Sequence, residues 1–278
     1  MTISEIIKNA LAEDIGDGDH SSLASIDSKA IAKAHLYVKE EGILAGIEIA
    51  KEVCKHVDER LQMNVFIEDG TQIHYGDIAF ELIGPAISIL TAERTILNFM
   101  QRMSGIATAT NSLSQIIADT QCKILDTRKT TPGIRILEKM SVKIGGGENH
   151  RMGLFDMIML KDNHIDYAGG IRSAIEKTHE YLRRNGKNLK IEIETRSLED
   201  VKEVIEVGGV DRIMLDNFTP EQISEALKLI GGKYETEASG KITHENIREY
   251  ALTGVDYISS GALTHHIKSL DLSLKAVF

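Results

Sequence analysis

The sequence predicts an α/β fold in which a parallel sheet, most simply a barrel, follows a smaller α+β domain. From about residue 115, six short apolar runs each end in a polar residue and precede a helix-length amphipathic stretch. These runs are residues 123–126, 157–161, 189–194, 211–216, 234–239 and 255–260. Their ends lie 35, 33, 22, 23 and 21 residues apart, enough for a crossover helix each time. Repeated βα units of this length are typical of parallel sheets and barrels.

Capping signals support the helices between these runs. Thr219, Pro220 and Gln222 form a capping box with proline at the first helical position. Ser197 and Thr243 are expected to cap helices in the same way. Six strands, with a candidate further strand near 140–144, fall short of the usual eight, so the pattern favours an incomplete barrel.

Residues 1–114 follow a different pattern, which predicts a separate domain. A helix is expected over 4–12 and another near 47–56, with extended runs at 32–39, 63–67 and 78–82. Turns are expected at Gly70 and at 76–77, and a long helix or helix pair over 91–118. We therefore expect an N-terminal domain over 1–110 and a barrel domain over 111–267.

The charge distribution points to a ligand class. The chain carries a formal charge of −10, yet residues 126–164 hold seven Lys/Arg against five Asp/Glu. This segment also contains a triple glycine and two histidines, His150 and His164. A local reversal of charge of this kind is typical of a pocket for a small polyanion.

Several classes of protein are disfavoured by composition. The acidic balance, the lack of tryptophan and the short basic cluster at 183–187 argue against nucleic-acid binding. No apolar run reaches the length of a membrane span, and no signal-peptide core is present. Two cysteines, neither in a CxxC pair, indicate a cytoplasmic protein without a disulfide framework. No P-loop, GxGxxG, zinc-ligand spacing or nucleophile motif occurs.

Cationic residues follow two of the predicted strands. Arg128 and Lys129 come directly after the first, and Lys161 ends the second. Between them, Gly145–Gly147 precedes His150 and Arg151, so that backbone N–H groups and two cations could approach an anion. Each group also has an alternative without a ligand. Arg128 and Lys129 could lie on a solvated surface loop, Gly145–Gly147 could form a flexible loop, and Lys161 could form an ion pair with Asp162.

Two carboxylates end adjacent strands. Glu194 and Asp216 could bind Mg²⁺ together with ribose hydroxyls, or could stabilise a cationic sugar. A structural role for the two carboxylates, in helix capping or in salt bridges, is an equal alternative. Glu192 points to the same side of its strand as Glu194. Small residues at 239–240 and 261–264 follow the last strands, where barrels commonly bind phosphate on backbone amides.

These residues together resemble the quinolinate phosphoribosyltransferase family (carboxylating nicotinate-nucleotide pyrophosphorylase). The blocks DTRKTTPG, GGGENHR and KDNHI within 126–165 carry the resemblance. Further blocks appear in the family's order along nearly the whole chain: LAEDIGDGD, TAERTILNFMQRMSGIAT, IEIE, IMLDNF, EASGKI and GALTHH.

The resemblance implies an N-terminal α/β sandwich and an incomplete, roughly seven-stranded α/β barrel, with the tail 268–278 packing on the sandwich. It implies a homodimer, in which Arg94 reaches the partner's site. The implied reaction joins quinolinate and phosphoribosyl pyrophosphate, with Mg²⁺ as cofactor, to give nicotinate mononucleotide, pyrophosphate and CO₂ for NAD biosynthesis.

The family's functional residues carry over by matching motif. The implied catalytic residues are Lys129, Lys161, Glu194 and Asp216, and the last two would also hold the metal. The implied substrate-binding set adds Arg94, Thr127, Arg128, His150, Arg151, Ser239, Gly240, Lys241, Gly261, Ala262, Leu263 and His265. Lys241 departs from the family, which usually has a second glycine there.

Three other interpretations compete with this one. A paralogue associated with molybdenum transport shares the implied fold, but its counterpart of the KDNH block differs and this chain keeps KDNHI. A non-catalytic anion-binding protein would not require Glu194 and Asp216. A different phosphate-binding barrel enzyme would make GGGENHR a coincidence. The ligand that the protein binds, namely quinolinate, another acid or phosphate only, distinguishes these interpretations from one another.

Overall fold

The computed structural model describes residues 1–277, which divide into two units. The first contains Met1–Asn111, Thr130–Gly146 and the segment from Ala262 onward, and the second contains Ser112–Lys129 and Gly147–Gly261. The segment 130–146 therefore belongs to the first unit, although it lies within the range predicted for the barrel domain.

The helices and strands, in chain order, are α1 (Ile3–Ile15), α2 (His20–Ser25), β1 (Ile31–Val38), β2 (Gly42–Ile43), α3 (Ile47–Val57), β3 (Gln62–Val65), β4 (Gln72–Ile73), β5 (Ile78–Pro85), α4 (Ala86–Ile116), β6 (Lys123–Leu125), α5 (Arg135–Ile144), β7 (Ile158–Leu160), α6 (Asp162–Ala168), α7 (Ile171–Asn185), β8 (Ile191–Thr195), α8 (Leu198–Val207), β9 (Arg212–Asp216), α9 (Pro220–Ile230), β10 (Glu235–Ser239), α10 (Ile247–Ala251), β11 (Tyr257–Ser259), α11 (Ala262–His265) and β12 (Leu272–Val277).

The first unit is built on an antiparallel sheet with strand order β12-β1-β5-β3. Alternate residues of β1, namely Ala34, Leu36 and Val38, are buried, as expected when one face of a sheet covers a core. The same hydrophobic cluster includes residues of α1, α3 and α4. Strand β12 pairs with β1 from Lys33↔Val277 to Val38↔Leu272, so the C-terminal segment completes this sheet.

A partly buried ion pair joins several segments of the first unit. Arg102 donates from Nη2 to Glu138 Oε1 at 2.8 Å and to the Thr264 carbonyl at 2.5 Å, and from Nη1 to the Ile267 carbonyl at 3.4 Å. Glu138, almost fully buried, also accepts from the Thr131 N–H at 3.0 Å. Because each partner satisfies the other's charge and several backbone groups, the pair connects α4 and α5 with α11 and the residues that follow it.

The second unit is built on a parallel sheet with strand order β6-β11-β10-β9-β8-β7. Its six strands match the six predicted runs. The expectation of a strand near 140–144 is wrong, because these residues end helix α5. A single parallel bridge, Leu125↔Glu148, extends the sheet beyond β6, and the described residues form no closed barrel.

Two of the three expected caps are confirmed. Thr219 accepts from the Gln222 N–H in a capping box with Pro220 at the start of α9, and Ser197 accepts from the Asp200 N–H at the start of α8. The expectation for Thr243 is wrong. Its N–H donates to Asn246 Oδ1, and α10 begins only at Ile247.

Two further observations bear on the excluded classes. Cys54 and Cys122 are both free and buried, and burial raises the pKa of each thiol to about 12. Among residues 1–277, no helix combines the length and apolar character needed to cross a membrane.

A pH-dependent contribution to stability follows from Glu81 on β5. Its Oε2 lies 2.9 Å from His35 Nε2 and 3.0 Å from Lys33 Nζ, and these partners lower its pKa to about 2. Because the folded-state pKa lies below the unfolded value, the stabilisation is present above pH 4.5 and is lost as the pH falls toward 2. In urea unfolding, Glu81→Gln should therefore be less stable than the parent at pH 7, and the difference should shrink by pH 3.

Glu59→Gln is the matched control, because Glu59 is exposed. Its difference from the parent should be small at every pH. A Glu81→Gln difference that stays constant from pH 7 to pH 3 would contradict the assignment.

Candidate active site at the carboxyl ends of the parallel strands

The parallel sheet brings most of the predicted site residues to one edge. Strands that run in the same direction end at the same edge, so the residues that follow β6 to β11 meet there. Ser239 pairs in register with Asp216, and Glu194 pairs with Met214, two residues before Asp216. The residues of the second unit at or beyond this edge are Thr127, Arg128, Lys129, His150, Arg151, Lys161, Glu194, Asp216, Ser239, Gly240, Lys241 and Gly261.

Two arginines form the cationic part of this edge. Arg151 is buried, and it donates from Nη1 to the Met157 carbonyl at 3.2 Å. Burial and then the charge of Arg128 lower the pKa of Arg151, although its guanidinium stays charged. The Nε atom of Arg128 is buried without a hydrogen-bond partner among the described residues. Two neighbouring guanidinium groups, one of them with an unused Nε, suit a dianion.

His150 immediately precedes Arg151, and its ring is almost fully buried. Its backbone N–H donates to Asp126 Oδ1 at 2.9 Å, and Asn149 Nδ2 donates to Asp126 Oδ2 at 2.6 Å. The buried Asp126, which follows β6, therefore holds the ENHR segment (Glu148–Arg151) at Asn149 and His150. The Nδ1 atom of His150 accepts from the Arg151 N–H at 2.7 Å.

The other ring nitrogen of His150 faces two buried glutamates. Nε2 lies 2.9 Å from Glu192 Oε2 and 3.4 Å from Glu237 Oε2. Burial opposes a charge on the imidazole, but the two carboxylates outweigh it and raise the pKa of His150 to about 9. Burial and the charge of Glu237 raise the pKa of Glu192. A proton on Nδ1 would require the contact with the Arg151 N–H to shift.

The sequence pattern predicts no role for Glu237 or Arg212, and for Glu192 it predicts only the side of the strand. Arg212 Nη1 lies 3.0 Å from Glu237 Oε2 and 3.9 Å from Glu192 Oε2. A signal was present in the sequence. Glu192 and Glu237 each lie two residues before a predicted site residue, so alternation places them on the same face of their strands.

The acidic part of the edge contains Glu194 and Asp216. Lys161 Nζ lies 3.7 Å from Glu194 Oε2, and Asn217 Nδ2 donates to Asp216 Oδ2 at 2.5 Å. Burial raises the pKa of Glu194; Lys161 lowers it, and the charges of Asp216 and Asp162 raise it. Glu194 Oε2 is buried and makes no hydrogen bond among the described residues. Two neighbouring carboxylates with unused acceptor capacity match the oxygen ligands that Mg²⁺ prefers.

The loop after β10 has a backbone that suits a ligand approaching the main chain. Gly240 has φ +97°, and a Cβ there would clash with Asn217 Oδ1, so only glycine fits. Lys241 also has a left-handed backbone, with φ +52°. This conformation gives a physical reason for a glycine at this position, and Lys241 adopts it while its side chain is exposed.

The remaining predicted site residues belong to the first unit. Arg94 is exposed on α4, and Ala262, Leu263 and His265 form the short helix α11. The side chain of Leu263 is buried, so only its backbone N–H can serve a ligand. His265 is exposed, with its ring centroid 4.1 Å from that of His266.

The left-handed backbone at Lys241 generates a prediction. Glycine removes an αL strain of about 1–2 kcal/mol at the expense of roughly 0.5–1 kcal/mol of backbone entropy. Lys241→Gly should therefore raise the free energy of unfolding by about 0.5–1 kcal/mol, whereas the β-branched Lys241→Val should lower it. Urea unfolding provides the measurement.

Lys187→Gly is the control, because Lys187 is an exposed loop residue without a positive φ. That substitution should be neutral or destabilising. Destabilisation by Lys241→Gly to the same extent would contradict the strain at Lys241.

Family models and solved structures indicate the same protein family for this chain. The model for the N-terminal domain of quinolinate phosphoribosyl transferase matches residues 19–104, and the C-terminal domain model matches 106–275. The crystal structure of NadC from Streptococcus pyogenes superposes with a TM-score of 0.93 at 40% identity, covering 99% of this chain and 97% of that one. The nicotinate-nucleotide pyrophosphorylase from Francisella tularensis has a TM-score of 0.92 at 42% identity, covering 99% and 96%.

Sequence relatives carry corresponding names. The chloroplastic nicotinate-nucleotide pyrophosphorylase [carboxylating] of Arabidopsis thaliana is 46% identical over 98% of this chain and 82% of its own length. The probable nicotinate-nucleotide pyrophosphorylase [carboxylating] of Bacillus subtilis is 44% identical over 99% and 93%. The chain belongs to the quinolinate phosphoribosyl transferase family.

Proposed function

We propose that this chain transfers the phosphoribosyl group of phosphoribosyl pyrophosphate to quinolinate with decarboxylation, giving nicotinate mononucleotide, pyrophosphate and CO₂. This makes it a nicotinate-nucleotide diphosphorylase (carboxylating), a pentosyltransferase of NAD biosynthesis. Membership of the family and the names of its relatives support the proposal. The observation that carries it is a pair of neighbouring arginines at the same sheet edge as a pair of carboxylates.

The cationic residues suit quinolinate. Quinolinate is a pyridine with two adjacent carboxylates, and Arg128 and Arg151 offer paired donors for such a dianion. Lys161 adds a donor and Thr127 adds a hydroxyl, while His150 is assigned to the border of the same subsite. Because Arg151 is buried, an anion that contacts it is largely shielded from water, which strengthens the charge–charge attraction.

The acidic residues suit the sugar. As the bond between the ribosyl carbon and pyrophosphate breaks, the electron pair leaves with pyrophosphate and positive charge builds on that carbon. The carboxylates of Glu194 and Asp216 stabilise this charge, while Lys129 and Lys161 stabilise the departing anion. The lone pair of the quinolinate nitrogen then forms the new bond to carbon, so no enzyme nucleophile is needed.

Decarboxylation follows from the charge on the ring. The new bond makes the pyridine nitrogen positive beside the carbon that carries the 2-carboxylate. When the bond to CO₂ breaks, the electron pair stays on this carbon, the positive nitrogen stabilises it, and a proton completes nicotinate mononucleotide.

Glu194 and Asp216 would hold Mg²⁺, directly or through water or substrate, because they offer neighbouring oxygen ligands with unused capacity. When bound, the ion neutralises charge on the pyrophosphate leaving group. Within the second unit, the 5′-phosphate is assigned to Ser239, Gly240, Lys241 and Gly261, mostly through backbone N–H groups.

The proposal includes a homodimer in which Arg94 completes the quinolinate site of a second copy. Its exposed position on α4 supports this role. A cytoplasmic location is also proposed, supported by two free, buried cysteines, which are typical of reducing compartments. Some plant relatives are named as chloroplastic or mitochondrial proteins.

The direct test of the reaction measures CO₂ and nicotinate mononucleotide from quinolinate and phosphoribosyl pyrophosphate, with and without Mg²⁺. We expect equal amounts of the two products with Mg²⁺ and little product without it. Nicotinate serves as the control acid and should give no product, because it lacks the 2-carboxylate. A folded protein that turns over nicotinate, or neither acid, would contradict the proposed substrate.

The assignment of Arg151 predicts selective loss of one substrate. Removing a charged hydrogen-bond donor of this kind is expected to weaken binding by about ten- to a hundredfold. Arg151→Ala should therefore raise the Kd for quinolinate by this factor and change the Kd for phosphoribosyl pyrophosphate by less than about threefold. Calorimetric titration measures both constants.

Arg183→Ala is the control for loss of one positive charge, because Arg183 is exposed on α7. It should leave both constants unchanged. Equal weakening of both substrates by Arg151→Ala would remove Arg151 from the quinolinate subsite.

The shared site predicts complementation. Arg94→Ala and Lys129→Ala should each be inactive, but a mixture that exchanges subunits should recover up to about a quarter of parental activity per site, because some dimers contain one intact site. Activity is measured before and after exchange, and exchange is followed with two affinity tags. Demonstrated exchange without recovery would contradict a site shared between subunits.

A further inference from the structure

The parallel sheet contains a buried ionic group of which the proposed reaction uses only His150. It consists of His150, Glu192, Glu237 and Arg212, whose side chains are 6%, 0%, 0% and 11% exposed. Burying charged groups is costly unless each is paired, and replacing such a group with apolar residues is often neutral or stabilising. Its presence directly behind a predicted substrate-binding residue calls for a role.

The group follows from strand register. Arg212 begins β9, which lies between β8 and β10, and it pairs with Glu192 on one side and Glu235 on the other. Glu237 lies two residues further along β10 and therefore on the same face as Glu235. The ionic contacts therefore extend from the start of β9 toward the carboxyl ends of the strands, where His150 lies.

The contacts form a continuous series. Arg212 is held by Glu235 at 3.0 Å and lies over the Tyr257 ring, 4.2 Å from its centroid. From there, its Nη1 reaches Glu237 at 3.0 Å. Both buried glutamates then reach His150 Nε2, at 2.9 Å from Glu192 and 3.4 Å from Glu237.

The imidazole consequently has contacts at both nitrogens, a close polar contact at Nε2 and a hydrogen bond at Nδ1. Nε2 faces the two carboxylates, while Nδ1 accepts from the Arg151 N–H at 2.7 Å. The backbone N–H of His150 is held by Asp126. The contacts of the ring thus join the buried glutamates to the backbone of Arg151, one of the two arginines assigned to the dicarboxylate.

We propose that Glu192 and Glu237, anchored by Arg212, are positioning residues that fix the ring of His150 and, through it, the backbone of Arg151 in the quinolinate subsite. The inference rests on the proposed function and deepens it. The two glutamates need not touch substrate; they act through His150. Their loss should weaken quinolinate binding and leave the binding of phosphoribosyl pyrophosphate nearly unchanged.

The same three side chains could instead chelate a cation. One ligand atom from each of His150, Glu192 and Glu237 lies within 4.8 Å of the others. The guanidinium of Arg212 argues against this alternative, because it already supplies a positive charge 3.0 Å from Glu237 and would repel a metal ion. A metal ion bound by these three side chains would overturn the proposal.

The test compares Glu192→Ala with Glu192→Gln, and Glu237→Ala with Glu237→Gln. Alanine removes the contact with the ring, whereas glutamine keeps an acceptor oxygen at a similar distance. We expect each alanine variant to raise the KM for quinolinate by about tenfold or more, with the KM for phosphoribosyl pyrophosphate within about twofold, and each glutamine variant to recover most of the loss.

Glu235→Gln is the matched control, because Glu235 contacts the same arginine from the same strand and otherwise pairs with Lys190 rather than with His150. It should leave both KM values unchanged. Equal changes in the two KM values, or glutamine variants no better than alanine variants, would overturn the positioning role. Should the alanine variants fail to fold, Glu192→Asp provides the shortened side chain and should resemble the expected alanine result.

A second measurement does not depend on turnover. In the full chain labelled with ¹⁵N-histidine, the ring signals of His150, assigned by their loss in His150→Gln, should shift in Glu192→Ala and remain near the parental values in Glu235→Gln. Unchanged ring signals in Glu192→Ala would overturn the inference even for an active enzyme. An inactive parent with the expected shifts would instead count against the proposed function alone. A stoichiometric metal in the purified parent that is absent from Glu192→Ala would favour chelation and overturn the positioning role.

Discussion

Neutralising two carboxylates inside a parallel sheet is the constraint on which the arrangement of the site depends. Glu192 and Glu237 are fully buried on β8 and β10, the two strands that flank β9. The repulsion between their like charges is strong in this buried position. Arg212 compensates them from one end, and Nε2 of the His150 ring faces them from the other. Because His150 is held in this way, the ENHR segment is fixed relative to the carboxyl ends of the strands, and Arg151 follows in sequence.

Positively and negatively charged side chains lie in different parts of this edge of the sheet. Arg128 and Arg151 form a cationic part, while Glu194 and Asp216 form an acidic part with Lys161 beside Glu194. A reaction that joins a dianionic ring to a carbon that becomes positive needs both, and needs them apart. If they were intermixed, arginines and carboxylates would pair with each other and would lose their capacity for substrate. The unused Nε of Arg128 and Oε2 of Glu194 are consistent with this separation.

Much of this organisation was predictable, because it depends on local sequence. Alternating apolar runs and helix caps predicted the six strands and the starts of α8 and α9. The rule that parallel strands end at one edge was sufficient to collect Lys161, Glu194 and Asp216. The residues 140–144 were misassigned because a short apolar run does not distinguish a strand from a buried helix.

The features that the sequence did not predict depend on tertiary contacts. The burial of Glu237 depends on the neighbouring strands and on Arg212, which lies 25 positions earlier in the sequence, and no local pattern reports that pairing. The left-handed backbone at Lys241 is likewise set by the loop around Asn217 and Gly240, and a lysine there gives no sign of it. Both cases illustrate that the pattern of polar residues predicts where a site lies better than how its members are held.

We propose that the dicarboxylate and Mg²⁺ occupy different parts of this edge. A crystal structure with quinolinate, a non-reactive phosphoribosyl pyrophosphate analogue and Mn²⁺ in place of Mg²⁺ tests this most directly, because anomalous scattering locates the ion independently of the ligands. We expect both carboxylates of quinolinate at Arg128 and Arg151, beside His150, and the anomalous peak at Glu194 and Asp216. A peak among His150, Glu192 and Glu237, or a dicarboxylate away from both arginines, would contradict it.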